Sequence, residues 1–319
     1  MHQQILVTGG CGFIGANLVP RLVKEGYRVR VLDNLSRGHR SFLEGVAIDF
    51  QQGDIRNAQD MDQAANGMDA VIHLAAYGSV IESLVDPQTN FDINGFGTLT
   101  TLNAAKNAGI KKFVFASTGG AIIGDADPPV NENSVPRPKS PYGASKLTCE
   151  AYCHAYARSF GLATVMLRFA NIYGPFSAHK KGAVTVFAKA LISGTPFVIY
   201  GDGSASRDFL HVDDLCNGIL KALEADLAPA TVLHLATGRE TSVLDLADLM
   251  KTVAGKPDHP VEFVDSRPGE VLRNFANYDR AEDAIGFRPQ MSLEEGLERT
   301  WEWFNAQGED ILRIETTDS

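Results

Sequence analysis

Two side chains that could move a proton stand four residues apart in the segment PYGASK, residues 141–146. At positions i and i+4 of a helix, Tyr142 and Lys146 would share one face, about 6 Å apart along the axis. A free tyrosine has a pKa near 10, so its use as a base at neutral pH requires a shift of about three units, or ~4 kcal/mol, from nearby positive charge. Lys146 can supply part of that charge. This spacing is also common in exposed helical pairs, so the interpretation depends on the rest of the chain.

A glycine-rich turn follows the first apolar run of the chain. The segment QILVT leads directly into G-x-G-x-x-G, with Phe13 and Ile14 inside the motif and a helical pattern after it. Glycines allow the backbone to approach a pyrophosphate closely, and a helix N-terminus directs free N–H groups at the phosphates. The spacing therefore predicts a dinucleotide site at Gly9, Gly12 and Gly15.

An acidic residue ends the second apolar run. Asp33 lies 18 residues after Gly15, where a carboxylate binds the adenosine ribose and repels an additional 2′-phosphate. This favours NAD as the cofactor, whereas Arg37 and Arg40 leave NADP open as an alternative. Asp54 follows the third apolar run and is either an adenine contact or a helix cap.

Short β-branched runs alternate with amphipathic stretches through the first half of the chain. Strands separated by helices of this length predict right-handed crossovers and a doubly wound parallel sheet, a Rossmann α/β fold. We expect residues 1–175 to form this domain, with 213–237 returning to it. Turn-rich residues 176–319 should form mainly a second, smaller α/β substrate-binding lobe.

The overall composition excludes several classes of protein. The 319 residues carry a net charge of −10, which argues against binding to nucleic acid. No basic and apolar leader and no long apolar run is visible, so we expect a cytoplasmic location and no membrane contact. The four cysteines are irregularly spaced, which predicts reduced thiols and no metal site.

Five motifs occur together in a diagnostic order: TGGCGFIG, FASTGG, SPYGASK, LRFANIYGP and RDFLHVDD. On these the chain closely resembles the extended short-chain dehydrogenase/reductase family over residues 3–305. Within that family it is most similar to the NAD-dependent nucleotide-sugar epimerases, especially the UDP-glucose 4-epimerase branch. The resemblance implies inversion at C4 of a UDP-hexose, such as UDP-glucose or UDP-galactose, through a 4-keto intermediate. It also implies a homodimer paired through residues 91–108 and 142–159.

The resemblance assigns roles to individual positions. Catalysis is implied for Thr118, Tyr142 and Lys146, and the last two also bind the cofactor. The further cofactor contacts implied are Gly9, Gly12, Phe13, Ile14, Gly15, Asp33, Asn34, Asp54, Ile55, Leu74, Ala75 and Ala76. The implied substrate contacts are Ser83, Thr118, Asn171, Tyr200, Arg207, Arg267 and Glu270.

Other roles for these side chains are open. Arg207 could instead pair with Asp208 or Asp213, and Tyr200 could simply pack. His73 and His211 lie in apolar runs and are interpreted as structural.

The chain departs from its relatives around the sugar site. Ile123 replaces a tyrosine, and Gly78 stands where some 4-epimerases carry a lysine near the phosphate. Asn274 falls at a position that relatives vary to admit N-acetyl sugars. Gly119 and Gly120 follow Thr118, where dehydratases of the family carry an acidic pair.

This last departure favours epimerisation over 4,6-dehydration or decarboxylation. Epimerases of UDP-GlcNAc or UDP-glucuronate stay open as alternatives. A protein of a different class, a non-catalytic NAD-responsive binding protein, also stays open.

Overall fold

The computed structural model describes residues 3–266 and 272–314. The strands are β1 (Gln4–Thr8), β2 (Arg28–Asp33), β3 (Asp49–Gln52), β4 (Ala70–His73), β5 (Lys112–Thr118), β6 (Ala163–Phe169), β7 (Asn171–Tyr173), β8 (Phe197–Tyr200), β9 (Ser206–Arg207), β10 (Phe209–His211), β11 (Thr231–Leu235), β12 (Thr241–Ser242), β13 (Val261–Val264) and β14 (Arg273–Asn274). The helices are α1 (Phe13–Lys24), α2 (Ala58–Ala65), α3 (Val80–Val85), α4 (Pro87–Phe91), α5 (Gly97–Asn107), α6 (Gly119–Ile123), α7 (Pro141–Phe160), α8 (Ala183–Ser193), α9 (Val212–Glu224), α10 (Val243–Val253), α11 (Asp279–Ile285) and α12 (Leu293–Gln307). A π-helical turn, Asp92–Phe96, joins α4 to α5.

The central sheet has seven strands in the order β11-β6-β5-β4-β1-β2-β3. All of its pairings are parallel. The chain order reverses between β1 and β4, and crevices form at the carboxyl ends of strands at such a switch point. The doubly wound α/β prediction is therefore confirmed, and strand β11 places the segment after α9 in the same sheet.

Both faces of this sheet are buried, which explains why its strands are apolar without alternation. Ile5 and Val7 pack with α1 and α9 on one face, whereas Leu6 packs with α2, α5 and α7 on the other. A third apolar cluster, which includes Phe187, Phe197 and Phe304, joins α8, α10 and α12 beyond the sheet.

Apart from β11, the strands after β6 form three small sheets, with the orders β10-β7, β12-β9-β14 and β13-β8. Residues of β7, β8, β9, β10 and β14 line one cleft together with the segments that follow the strands of the large sheet, so these small sheets lie beside its carboxyl edge. We propose that this region is the smaller, substrate-binding domain. None of the helices in the described ranges is long and apolar enough to cross a bilayer.

Candidate active site

A cleft of about 1160 Å³ lies along the carboxyl edge of the central sheet. Its walls come from the segments that follow β1, β2, β4 and β5, from α7, and from the region between β7 and β14. The predicted cofactor and catalytic residues all line this cleft. Parallel strands bring them together because their carboxyl ends meet at one edge.

The glycine turn between β1 and α1 can be built only without side chains. Gly9 has φ +70°, and a Cβ there would lie 2.6 Å from the backbone nitrogen of Ala75. A Cβ on Gly15 would lie 2.3 Å from the carbonyl oxygen of Gly10. No side chain caps the first turn of α1, which begins after Gly12, so its N–H groups are available to a phosphate.

Asp33 is held by the same turn. Its Oδ2 accepts a hydrogen bond from the backbone N–H of Cys11 at 2.9 Å, and its Oδ1 accepts one from Leu35 at 2.8 Å. The side chain is 8% exposed, and burial raises the pKa of its carboxyl although both hydrogen bonds act against this. The carboxylate is thus fixed at the rim of the cleft, where a ribose hydroxyl could donate to it.

Asp54 is not a helix cap, so that alternative is wrong. The N-cap of α2 is Asn57, whose side chain accepts hydrogen bonds from the first turn. The carboxylate of Asp54 instead accepts two hydrogen bonds from the Arg56 guanidinium and one from Asn34, which hold its pKa at about 2. Asp54 and Ile55 line the cleft, as an adenine subsite would require, and so does Asn34, the expected ribose contact.

The two arginines that left NADP open already have partners within the protein. The Arg37 guanidinium lies 4.2 Å from the centre of the Tyr77 ring and 2.6 Å from Glu82. Arg40 stacks on Phe50 at 4.2 Å. With the glycine turn, the Asp33 carboxylate and the adenine side in place, the residues of this half of the cleft fit NAD.

Helix α7 carries the predicted acid/base pair. Its start is well specified, since the Ser140 hydroxyl accepts a hydrogen bond from the Gly143 N–H at 3.1 Å and Pro141 occupies the first turn. Lys146 is 3% exposed, and its ammonium donates to the Ala116 carbonyl at 2.8 Å. The Tyr142 ring is half-buried and lines the cleft beside it.

The expected lowering of the tyrosine pKa does not come from the polypeptide alone. Burial, and then the Cys149 side chain, raise the pKa of Tyr142 above its usual value. Burial also lowers the pKa of Lys146, because desolvation disfavours its charged form. A further positive charge in the cleft is therefore required before Tyr142 can act as a base near neutral pH.

The side chains of His234 and Asn274 pack against the segment that follows Thr118. A Cβ on Gly119 would lie 2.9 Å from the imidazole Cε1 of His234. A Cβ on Gly120 would lie 1.6 Å from the Nδ2 of Asn274. The two glycines thus let His234 and Asn274 close directly on the backbone beside Thr118, which lines the cleft.

The predicted substrate residues fall into three groups. Asn171, Tyr200 and Arg207 line the cleft. The two carboxylates considered as alternative partners of Arg207 bind other groups. Asp208 accepts hydrogen bonds from Thr237 and Gly238, and Asp213 pairs with Arg21 and Arg299. Ser83 is 0% exposed and donates to the Val80 carbonyl at 2.6 Å, which is at odds with a substrate contact. We therefore leave Ser83 out of the proposed site. Arg267 and Glu270 lie outside the described residues.

The two histidines interpreted as structural lie away from the cleft lining. His73 is buried between the hydroxyls of Thr8 and Thr98, at 2.7 and 3.1 Å. His211 caps α9 through its Nδ1.

Sequence reasoning missed a buried polar network that links α7 to β5, next to the predicted catalytic residues. The Glu150 carboxylate accepts from the Arg168 guanidinium at 3.0 and 2.7 Å and from the Ser117 hydroxyl at 2.6 Å. Glu150 stands two helical turns after Tyr142 on α7, and Ser117 precedes Thr118 on β5. The one local signal was a pair of charged residues at otherwise apolar positions.

His234 was also missed. It lies opposite Arg168 in the central sheet, where β11 pairs with β6. Burial lowers its pKa to about 3, so the ring is neutral. Its Nε2 and the Arg168 Nη1 are buried without a hydrogen-bond partner among the described residues.

Comparisons with known proteins agree with this geometry. The model of the NAD dependent epimerase/dehydratase family matches residues 5–236. A UDP-glucose 4-epimerase of Mycolicibacterium smegmatis is 36% identical over 95% of this chain and 98% of its own length.

Solved structures are equally similar. A UDP-glucose 4-epimerase of Thermotoga maritima, determined with UDP-glucose, has a TM-score of 0.91 at 38% identity and covers 96% of this chain and 99% of its own. A dTDP-glucose 4,6-dehydratase of Streptomyces venezuelae, determined with NAD bound, has a TM-score of 0.91 at 33% identity, with 97% and 100% covered.

Proposed function

The chain belongs to the NAD-dependent epimerase/dehydratase family and is an NAD-dependent nucleotide-sugar epimerase; from that premise we propose that it inverts C4 of a UDP-hexose and interconverts UDP-glucose and UDP-galactose. The glycine turn, Asp33 and Lys146 would hold NAD, which when bound would supply a hydride acceptor and a positive charge. The proposed reaction has no net oxidation, because the two 4-epimers are at the same oxidation level.

The proposed roles of the polypeptide concern one proton and one hydroxyl. Tyr142 takes the proton of the C4 hydroxyl as the 4-keto sugar forms, and gives it back after the sugar has turned. Thr118 hydrogen-bonds the reacting oxygen. Its hydroxyl is available for this, since it forms no hydrogen bond within the described part of the chain.

The substrate would lie between Thr118 and the second domain. In the proposal Asn171 and Arg207 bind the diphosphate, and Tyr200 stacks on the base. The resemblance implies that Arg267 and Glu270 complete this part of the site.

The proposal of epimerisation rather than dehydration depends on Gly119 and Gly120. Elimination of water across C5 and C6 needs a base for the C5 proton and an acid for the leaving hydroxyl, and glycines offer neither. Side chains at these two positions would also collide with His234 and Asn274. Asp125, the alternative carboxylate nearby, is exposed, pairs with Lys139 at 2.7 Å and is absent from the cleft lining.

The test is to incubate the purified protein with UDP-glucose in deuterated water and to follow the product by NMR and mass spectrometry. We expect UDP-galactose of unchanged mass, with no deuterium at C5. A product lighter by one water, or deuterium at C5, would overturn the epimerase assignment. A panel that adds UDP-N-acetylglucosamine and UDP-glucuronate tests which sugar is accepted. Asn274, at the position that relatives vary to admit N-acetyl sugars, is half-buried and lies beside the segment that follows Thr118.

A homodimer in the cytoplasm completes the proposal. Large apolar side chains on the helices expected to pair are exposed, including Phe91, Phe96 and Tyr152. Such side chains are typical of a surface that is covered in the assembled protein. Light scattering should give about twice the 34.5 kDa of the chain, and the monomer mass at micromolar concentration would contradict the dimer.

A further inference from the structure

Two basic side chains pair with one carboxylate on the wall of the cleft, and a third basic residue, Lys180, precedes Lys181 in the chain. The two oxygens of Glu82 lie 2.6 Å from the Arg37 guanidinium and 3.2 Å from the Lys181 ammonium. Burial acts against ionisation of Glu82, but the hydrogen bonds from these two cations outweigh it and hold its pKa below the usual value. Glu82 is therefore a shared counter-charge, already committed to two partners.

Lys180 is the third basic residue, and Glu82 is not its partner. It is half-buried and lines the cleft, yet its ammonium forms no hydrogen bond or ion pair within residues 3–266 and 272–314. Burial, and then the charge of Arg37, lower the pKa of Lys180. Burial also lowers the pKa of the adjacent His179 to about 4, so that ring adds no charge at neutral pH.

The cluster of Arg37, Glu82 and Lys181 lies near the glycine turn between β1 and α1. A Cβ on Gly38, the neighbour of Arg37, would lie 2.7 Å from the backbone of Cys11 inside the turn. The Arg37 guanidinium stacks on Tyr77, two residues after Ala75, which itself touches Gly9. Arg37 and Tyr77 thus join the two segments that flank the phosphate-binding turn. Lys181, the chain neighbour of Lys180, is linked to Arg37 through the Glu82 carboxylate.

The other acidic side chains that line the cleft do not neutralise this group. Asp33 is bound by backbone N–H groups, Asp54 by Arg56, and Asp208 by Thr237 and Gly238. A half-buried ammonium beside a like charge is stabilised when an anion enters within hydrogen-bond distance. The two phosphates of a dinucleotide on the glycine turn are such an anion.

We propose that Lys180 is a cofactor-binding residue that reaches from the loop before α8 to the pyrophosphate of NAD, with Arg37 and Lys181 placed beside it by Glu82. The second domain then takes part directly in holding the cofactor. This inference rests on NAD and on no particular sugar, so it can fail while the UDP-hexose proposal stands, and the reverse.

The experiment compares Lys180→Met with Lys189→Met in the purified holoenzyme. Lys189 is also a half-buried lysine, but its ammonium donates to the Ile314 carbonyl at 2.9 Å and it is absent from the cleft lining. The rate of NAD release after dilution and the affinity for UDP are measured. We expect Lys180→Met to release NAD about 10- to 100-fold faster, as for the loss of one hydrogen bond to a charged group, with UDP affinity within twofold of the wild type.

Three results would overturn the proposal. One is unchanged NAD release in Lys180→Met. Another is weaker UDP binding with unchanged NAD release, which would assign Lys180 to the substrate diphosphate. The third is an equal effect of Lys189→Met, which would show a non-specific effect of removing a lysine.

Two further variants guard against misfolding of Lys180→Met. Lys180→Arg keeps the charge and should retain NAD within about threefold of the wild type. Gly78 also lines the cleft, and a Cβ there would meet nothing within 4 Å, so Gly78→Lys can place a new ammonium nearby. Combined with Lys180→Met it should slow NAD release again, and failure of both variants to retain NAD would contradict a role for positive charge.

Discussion

Removal of Arg168 should show how far the buried ion pair supports α7, the helix that carries Tyr142 and Lys146. Arg168 and Glu150 are 4% and 6% exposed, and the only other donor to the Glu150 carboxylate in the described chain is Ser117. In Arg168→Met the carboxylate stays buried and loses two of its three hydrogen bonds. The change therefore leaves an uncompensated charge directly behind β5 and α7.

The expected magnitude follows from the cost of such a charge. Breaking a buried pair by removing one partner costs about 3–5 kcal/mol, whereas replacing both partners by apolar side chains is close to neutral. With an unfolding entropy of about 2.1 cal/mol/K per residue, a chain of 319 residues should melt about 5–7 °C lower in Arg168→Met. The unpartnered Nη1 of Arg168 reduces what the intact pair contributes, but it does not reduce the cost of breaking it.

The assay is a double-mutant cycle with Arg168→Met, Glu150→Leu and their combination, read by calorimetry and by turnover. The double variant should be more stable than Arg168→Met alone, and turnover should fall about tenfold or more in the single variants as Tyr142 and Thr118 lose their alignment. Strictly additive effects on stability, or a melting temperature of Arg168→Met within 1 °C of the wild type, would refute the reasoning.

Four further outcomes are expected. Tyr142→Phe should retain NAD while turnover falls at least about a hundredfold, and near-normal activity would remove the phenol from the mechanism. Asp33→Ala should reduce the ratio of NAD affinity to NADP affinity in binding titrations. Equal affinity of the wild type for both cofactors would contradict the role of Asp33. Gly120→Ala should lower turnover because its Cβ would meet the Asn274 side chain, and Asn274→Gly in the same chain should restore part of it if that collision is the cause. The pKa of His73 is about 3 in the folded protein and 6.5 in the unfolded chain. Its neutral ring therefore contributes to the free energy of unfolding above pH 6.5, and about 2 kcal/mol of that contribution is lost at pH 5. The free energy of unfolding of His73→Gln, measured by chemical denaturation, should lack this part of the pH dependence.

Local features of the chain were predictable from the sequence because each depends on a few consecutive residues. The turn at Gly9–Gly15 needs glycine at positions where a Cβ would strike the neighbouring backbone. Helix α7, which carries Tyr142 and Lys146, is marked by Ser140 and Pro141 at its start and by Gly161, with φ +71°, at its end. Apolar runs without alternation indicated a sheet buried on both faces, and the clusters on the two sides confirm it.

Only the tertiary structure decided which distant residues meet at the site. The Asn274 side chain packs on Gly120, and Glu82 pairs with Lys181, although no periodicity links these positions. Ser83 carries a hydroxyl that could bind a sugar, but the packing of α3 turns it to a backbone carbonyl. The pKa of Tyr142 is raised because the surrounding chain removes water from the phenol. Desolvation and long-range contact depend on everything that packs around a group, whereas turns, caps and strand patterns depend on its neighbours in the chain.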